Sequence, residues 1–598
     1  MGTQSVVIQK IHAFLLWANV FFEHSLIFRG LSAIGNAARG SAILSGFLHT
    51  ERDYWGGSLI MRGVSLVFGG IYRGAAWIFA VLSRANENSV NRKIFLACKN
   101  ALADPNNLLN KTVAECVPGR VMDWFFGDEK ARQARIGHRG HVSASARSLE
   151  AGCNSMSEKS DAPVTVLSFI NLKTVYMLFL VGSLTIPSHM WNNWLLFISA
   201  AFFAGAYFVK LLLDENGSRF RENVDASDMR LRGKAASTPT KIYISPALIL
   251  FVFFCAFSML HGYGGMDSVR VFVIFFACIV HSVLVSQIIK KSDMRLFFSL
   301  AAVALVIAAA IGFYHVAMGI EVRTDLTDLQ ASPGLSRLYA TLGGNPNNDA
   351  QAWAMLLPFV IAAMICVKND TRRLVLLMII FTVLGAFAMT YSRGGYVALG
   401  AGLAVFILLA APRLIPIVFL AGILALPIIP PGIIERLFTL GQDSSSQYRF
   451  MIWGGVMRML EDFWVQGIGM GPAAFIRIYR SYAHPLAERA MHSHNMFLDI
   501  ITHSGIGALV AFLAYLYGLF KRGIAAHASE VEPENKVCLA AGIAALTVFV
   551  ALGVGEYVWF YPRVMLVFWI MTGLLTGLSL KTPPKLRILE KISAPSAQ

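Results

Sequence analysis

Charge is what this sequence has least of. Asp, Glu, Lys and Arg make up 14% of its 598 residues, while apolar types make up 56%. An ordinary soluble domain carries about a quarter charged residues, so a water-soluble protein of this length could not clothe its surface with so few. Runs of roughly 18–20 apolar residues, almost free of charge, recur along the chain, and each can cross a ~30 Å hydrocarbon layer as a helix. A soluble enzyme, a fibrous protein and a disordered chain are excluded.

Paired cysteine is lacking too. The seven cysteines are odd in number and form no Cys-x-x-Cys, so neither a zinc site nor a disulfide framework is indicated. A clean cleavable signal is missing: the apolar stretch from Ile11 to Phe28 is interrupted by His12, Asn19, Glu23 and His24. No internal repeat relates two halves, and no charged residue falls in the middle of a span.

What is present is an all-α polytopic membrane protein with about twelve transmembrane helices. The spans are expected at 172–187, 194–213, 242–260, 269–289, 296–316, 350–367, 374–391, 395–411, 414–432, 496–519, 537–554 and 558–579. Residues 1–165 differ in character. Two amphipathic stretches and a polar segment suggest either a cytoplasmic extension whose helices lie on the membrane surface or a small helical domain. The transmembrane region then covers 166–580 and a short tail covers 581–598.

The net charge is +16, and its distribution is more informative than its sum. Basic residues fall on alternate connections: Arg219 to Lys241, Lys290-Lys291 with Arg295, Lys368 with Arg372-Arg373, Arg413, Lys521-Arg522, and the tail. The positive-inside rule puts these connections and both termini in the cytoplasm. The opposite side has two long loops, 317–349 and 433–493. The second breaks the rule, with Arg436, Arg449, Arg458, Arg477, Arg480 and Arg489 but no lysine. Arginine's planar fork holds phosphate oxygens by two-point contact, so one reading is an outward site for a diphosphate. The other is ordinary surface arginine paired with Glu435, Asp443, Glu461, Asp462 and Glu488.

Five motifs stand out. Ser392-Arg393-Gly394-Gly395 lies between two spans, where a charged residue is a functional candidate or a snorkelling arginine on a tight turn. Gln447-Tyr448-Arg449-Phe450 leads into a helical pattern, with Arg449 expected at the helix start. Gly467-Ile468-Gly469-Met470-Gly471-Pro472 comes next. With no preceding strand it reads as a turn rather than a dinucleotide fingerprint. His492-Ser493-His494-Asn495 opens the tenth span, offering a base near neutral pH or a helix cap. Asn345-Pro346-Asn347-Asn348-Asp349 opens the sixth as a turn and cap or as a substrate contact.

Taken in order, Asn-Pro-Asn before a span, Ser-Arg-Gly-Gly, Tyr-Arg and Gly-Ile-Gly-Met-Gly-Pro in a long outward loop, and His-Asn-Met-Phe-Leu-Asp with Ser-Gly-Ile-Gly after it resemble the O-antigen ligase and polymerase family of bacterial envelope glycosyltransferases. The resemblance covers about 170–580. It implies a GT-C-like membrane fold in the bacterial inner membrane with its active site on the outer, periplasmic face. It also implies transfer of a glycan from undecaprenyl diphosphate to a hydroxyl of a glycan, lipid A core or protein acceptor. His494 matches the family's essential histidine, and Arg393 and Arg449 match the arginines that engage the donor diphosphate. Asn495, Tyr448, Asn347 and Arg489 are the further substrate contacts expected. Membrane lipids are expected partners, nucleic acid is not, and no cofactor or metal is called for. Attack by the hydroxyl on the anomeric carbon would invert it. A polymerase of the same family differs only in acceptor. A secondary transporter or a non-catalytic scaffold are the readings from other classes.

Overall fold

The computed structural model describes residues 172–213, 244–320, 337–415 and 444–580. The extension 1–165, most of the expected ninth span 414–432 and the tail 581–598 lie outside them. The described residues are helical, with thirteen α-helices and no strand among them. In order they are α1 Leu172–Thr185, α2 Trp194–Leu213, α3 Pro246–Leu260, α4 Met266–Ile288, α5 Met294–Ala317, α6 Pro346–Cys366, α7 Asp370–Met389, α8 Arg393–Ala410, α9 Ser444–Phe463, α10 Pro472–Tyr479, α11 Met496–Ser529, α12 Pro533–Gly555 and α13 Pro562–Leu580. Two compact units divide them: one holds 181–204 and all described residues from 244 on, the other 172–180 and 205–213. The first unit carries every expected site residue.

Eight helices (α4–α8 and α11–α13) are long and apolar enough to cross a membrane, and α1, the first part of α2, and α3 are shorter apolar helices. They coincide with eleven of the expected spans. Local chemistry fixes their starts. Proline stands at the first turn of α3, α6, α10 and α12, where its missing N–H costs nothing. Asn345, Asn369, Ser392 and Asn495 cap α6, α7, α8 and α11 with side-chain acceptors.

The bundle is layered from inside out. The apolar window of α13 is 94% buried, whereas those of α7 and α8 are 28% buried; the latter present their apolar faces outward, as lipid-facing helices do. Antiparallel connections sort the helix ends into two poles. One collects the turns at 186–193, 261–265 and 390–392, the helices α9 and α10, and the short connection 556–561. The other collects 289–293, 367–369 and 530–532.

An aromatic cluster anchors the connection 556–561. Trp559 contacts the rings of Phe275, Phe512, Phe568 and Trp569 at 5.1–5.6 Å. Arg563, fully buried at the start of α13, donates to the carbonyls of Ser183 (3.2 Å), Ile186 (2.5 Å) and Thr341 (2.5 Å). Its plane lies over Trp191 at 5.1 Å. This arginine therefore ties chain segments together.

Candidate functional site

Glu556 is the centre of the first pole. It follows α12 directly, and its carboxylate is nearly buried. Arg449 Nη2 donates to its Oε1 at 2.5 Å. His494 Nδ1 lies 3.7 Å from its Oε2, close enough for charge attraction but too long for a hydrogen bond. That Nδ1 is buried and makes no hydrogen bond. Three segments far apart in sequence thus bring an arginine, a histidine and a glutamate together. Burial pushes the Glu556 carboxyl up, but the Arg449 charge and the His494 and His492 rings outweigh it and hold it down at about 2. The carboxylate stays ionised across the working pH range.

Arg449 sits in the second turn of α9, because the serines from 444 are already helical. It was expected at the helix start, so the helix's own amides do not frame it; Glu556 does.

The His492–Asn495 turn is over-determined. His494 adopts φ +54°, a left-handed conformation costing roughly 1–3 kcal/mol for such a residue. Its backbone N–H donates to His492 Nδ1 at 3.1 Å, and the two rings lie 4.0 Å apart. His492 is buried, and burial first, then the neighbouring His494, lowers its pKa well below the ordinary histidine value. It is therefore neutral, and by accepting at Nδ1 it carries its proton on Nε2. Ser493 is held from both sides: buried Asp499 accepts from its amide at 3.2 Å and its hydroxyl at 2.7 Å, and its carbonyl accepts from Trp453 Nε1 at 2.8 Å. Asn495 caps α11 through Oδ1 (2.9 and 3.0 Å) and donates to the Val554 carbonyl at 2.9 Å. Asn495 thereby clamps the start of α11 to the end of α12, two residues from Glu556.

The Ser-Arg-Gly-Gly turn joins this group. Ser392 caps α8, and a Cβ on Gly394 would lie 4.0 Å from Glu556 Cγ. Tyr391, two residues before Arg393, has φ +51°. Tyr391 and His494 are the two non-glycine residues with positive φ among the described residues, and both adjoin expected site positions. Arg337 links in the Asn-Pro-Asn turn, donating to Asn347 Oδ1 at 2.7 Å and to the Thr390 carbonyl at 2.9 Å.

The remaining expectations divide. Tyr448 packs against the apolar core between α9 and α10 rather than against Glu556. Arg489 is exposed, and no described contact joins it to the Glu556 group. Arg458 and Arg477 donate to the carbonyls of Tyr482 (2.7 Å) and Tyr263 (3.3 Å) instead of pairing with Glu461, Asp462 or Glu488. The Gly467–Pro472 segment is a turn, as read from the sequence: Gly467, Gly469 and Gly471 all have positive φ. It seats on a break in α11 at Gly505, where the Ile468 and Gly469 amides donate to the Thr502 and His503 carbonyls at 2.9 and 3.0 Å.

Sequence reasoning missed Glu556. The only signal was an acidic residue at a span end, which is a functional candidate by default.

Residues 376–513 match the family model described as O-antigen ligase. The match runs from α7 into α11 and takes in Arg393, Tyr448, Arg449, Arg489, His494 and Asn495, while Asn347 and Glu556 lie outside it. No curated protein matches the chain.

Proposed function

We propose that the chain, whose residues 376–513 match the O-antigen ligase family model and so support a ligase- or polymerase-type function in a membrane, transfers a glycan from undecaprenyl diphosphate to an acceptor hydroxyl. The reaction takes place at the outer face of the bacterial inner membrane. The observation that carries this reading is the convergence of Arg449 and His494 on Glu556 beside the Ser392–Gly394 turn.

In this reading Arg393 and Arg449 hold the diphosphate and stabilise the charge that grows on it as the anomeric C–O bond breaks. His494, with Nδ1 toward Glu556, presents its other ring nitrogen to the acceptor hydroxyl and takes its proton. The hydroxyl oxygen forms the new bond from the face opposite the leaving group, so the anomeric centre inverts and undecaprenyl diphosphate departs. Glu556 orients Arg449 and favours the imidazolium that forms on His494. Orientation with both termini in the cytoplasm, from the lysine and arginine distribution, puts this pole outward.

The test is transfer from a purified undecaprenyl-diphosphate-linked glycan in reconstituted membranes. His494→Ala and Arg393→Ala, at normal expression, should each reduce transfer at least ~100-fold; full activity in either would sink the assignment. Addition to lipid A core or protein marks a ligase, and lengthening of the lipid-linked glycan itself marks a polymerase.

A further inference from the structure

Helix α9 carries Arg449 but is not a span. It is two-faced. Ile452, Val456, Met459 and Leu460 pack against Ala474, Phe475 and Tyr479 of α10 in a buried core. A second face is apolar and exposed: Phe450 is 48% exposed, Met457 52% and Trp464, just past the helix end, 50%. These positions, with half-buried Trp453 between them, fall seven residues apart on one stripe. Glu461 lies on the same face, and Arg458 turns to the Tyr482 carbonyl. Soluble surfaces rarely leave so large an aromatic and aliphatic stripe to water.

The stripe runs into the surface that faces lipid. Where α9 ends, Phe463 meets Tyr263 at 5.7 Å between rings, and the Tyr263 amide donates to the Ile468 carbonyl at 2.8 Å. Tyr263 lies just past α3, whose Phe253, Phe257 and Leu260 form an exposed apolar row one to two turns apart. Other exposed aromatics stand at the same pole: Trp194 at the start of α2 and Tyr314 at the end of α5. Tryptophan and tyrosine collect at the boundary between hydrocarbon and water. Trp464 and Tyr263 therefore mark the depth of that boundary, and α9 runs from there to the Arg449–Glu556 pair.

We propose that α9 is an interfacial helix, with Phe450, Trp453, Met457 and Trp464 embedded in the headgroup and upper acyl region of the outer leaflet. The occupant of this face is the lipid surface itself. Such a helix lies in the membrane plane with its apolar side down and its charges at the edges. Buried contacts on its other side fix it to the bundle, so the bilayer sets the height at which Arg449 meets the headgroup layer. That consequence for Arg449 rests on the proposed glycan transfer; the lipid contact does not.

The test uses the full chain in vesicles of phosphatidylethanolamine and phosphatidylglycerol. In a background of Cys98→Ser, Cys116→Ser and Cys153→Ser, an environment-sensitive fluorophore is attached at Met457→Cys, at Trp464→Cys and, as the reference, at Arg480→Cys, an exposed residue after α10. The remaining cysteines are buried, and the background labelling of the parent is subtracted. Lipid carrying a shallow doxyl group should quench positions 457 and 464 several-fold more than it quenches 480, and aqueous iodide should show the reverse order. Equal iodide quenching at 457 and 480 would overturn the proposal by placing the face in water. Protection of 457 and 464 from both quenchers would overturn it by showing a protein cover, such as a second copy of the chain. Neither readout involves substrate, so the lipid contact and the glycan-transfer reading fail separately.

Discussion

The two poles of the bundle use the same residue types to opposite ends. At the pole away from Glu556, charges neutralise one another in the ordinary way. Lys291 pairs with Glu530 at 2.7 Å, Arg295 grips Glu534 at 2.6 Å, and Arg373 meets Asp370 at 3.4 Å. The first two pairs tie the segment that opens α5 to the connection between α11 and α12 and the first turn of α12, and the third lies within the first turn of α7. A cavity of about 370 Å³ there, lined by Lys291, Arg295, Phe298, Cys366, Glu534 and Cys538 among others, contains basic groups that already have carboxylate partners. At the Glu556 pole one carboxylate serves Arg449 and His494 together. The turns around it are strained at Tyr391 and His494, and several arginines bind backbone carbonyls. Satisfied pairs mark one pole, whereas a shared carboxylate with strained turns marks the candidate site at the other.

That contrast can be attacked in steps of decreasing size. Arg449→Ala should lower transfer per folded molecule ~100–1,000-fold, as loss of a donor to developing negative charge does, and it also lowers the melting temperature because the Glu556 carboxylate loses its partner. Arg563→Met should affect folding alone. It leaves the Ser183 and Ile186 carbonyls without this donor, while the Thr341 carbonyl keeps the Ser188 hydroxyl, and each buried group left unsatisfied costs about 1–3 kcal/mol. The readout is a lower melting temperature and less folded protein, with transfer per folded molecule largely kept. Gly505→Ala should cost about 1–3 kcal/mol, because φ is +78° there and an added Cβ would meet the Val465 carbonyl. Thermal unfolding checks that too. Lys291→Ala, at the other pole, should cost under about 1 kcal/mol and leave transfer unchanged.

Much of the fold was legible because spans obey a length rule and caps obey local chemistry. The Asn345 and Asn495 motifs announced two helix starts, and the glycine run 467–471 announced its turn. The site was legible only in part. His494 and Arg393 stood out as charged or titratable residues at span ends, and Arg449 as an arginine in a long loop otherwise expected to be poor in basic residues. Glu556 did not, because its meaning comes from partners 62 and 107 residues away. Arg563 looked like Arg449 in sequence, as an arginine on the outward side, and only packing separates a residue wrapped in carbonyls from one facing a carboxylate. Among the described residues of the long loop, Arg458 and Arg477 also do not pair with Glu461, Asp462 or Glu488. Backbone carbonyls, which carry no sequence signature, took Arg458 and Arg477 instead. The break in α11 was hidden for the same reason: Gly505 is marked by the Trp464–Gly469 backbone that docks on it.

The central claim is that Glu556 organises Arg449 and His494 into one transfer site, and Glu556→Gln tests it most directly. With its folded-state pKa held at about 2, below the ordinary ~4.3, Glu556 contributes its pairing stability above the unfolded value and loses it as pH falls through about 2. Between about pH 5 and 9 it is fully ionised, so the amide removes a charge present throughout that range. Transfer from the lipid-linked donor by reconstituted Glu556→Gln should therefore be at least ~100-fold below wild type at every pH in that range, with folded protein still recovered. Transfer at the wild-type rate, or a deficit confined to one end of the pH range, would contradict the account.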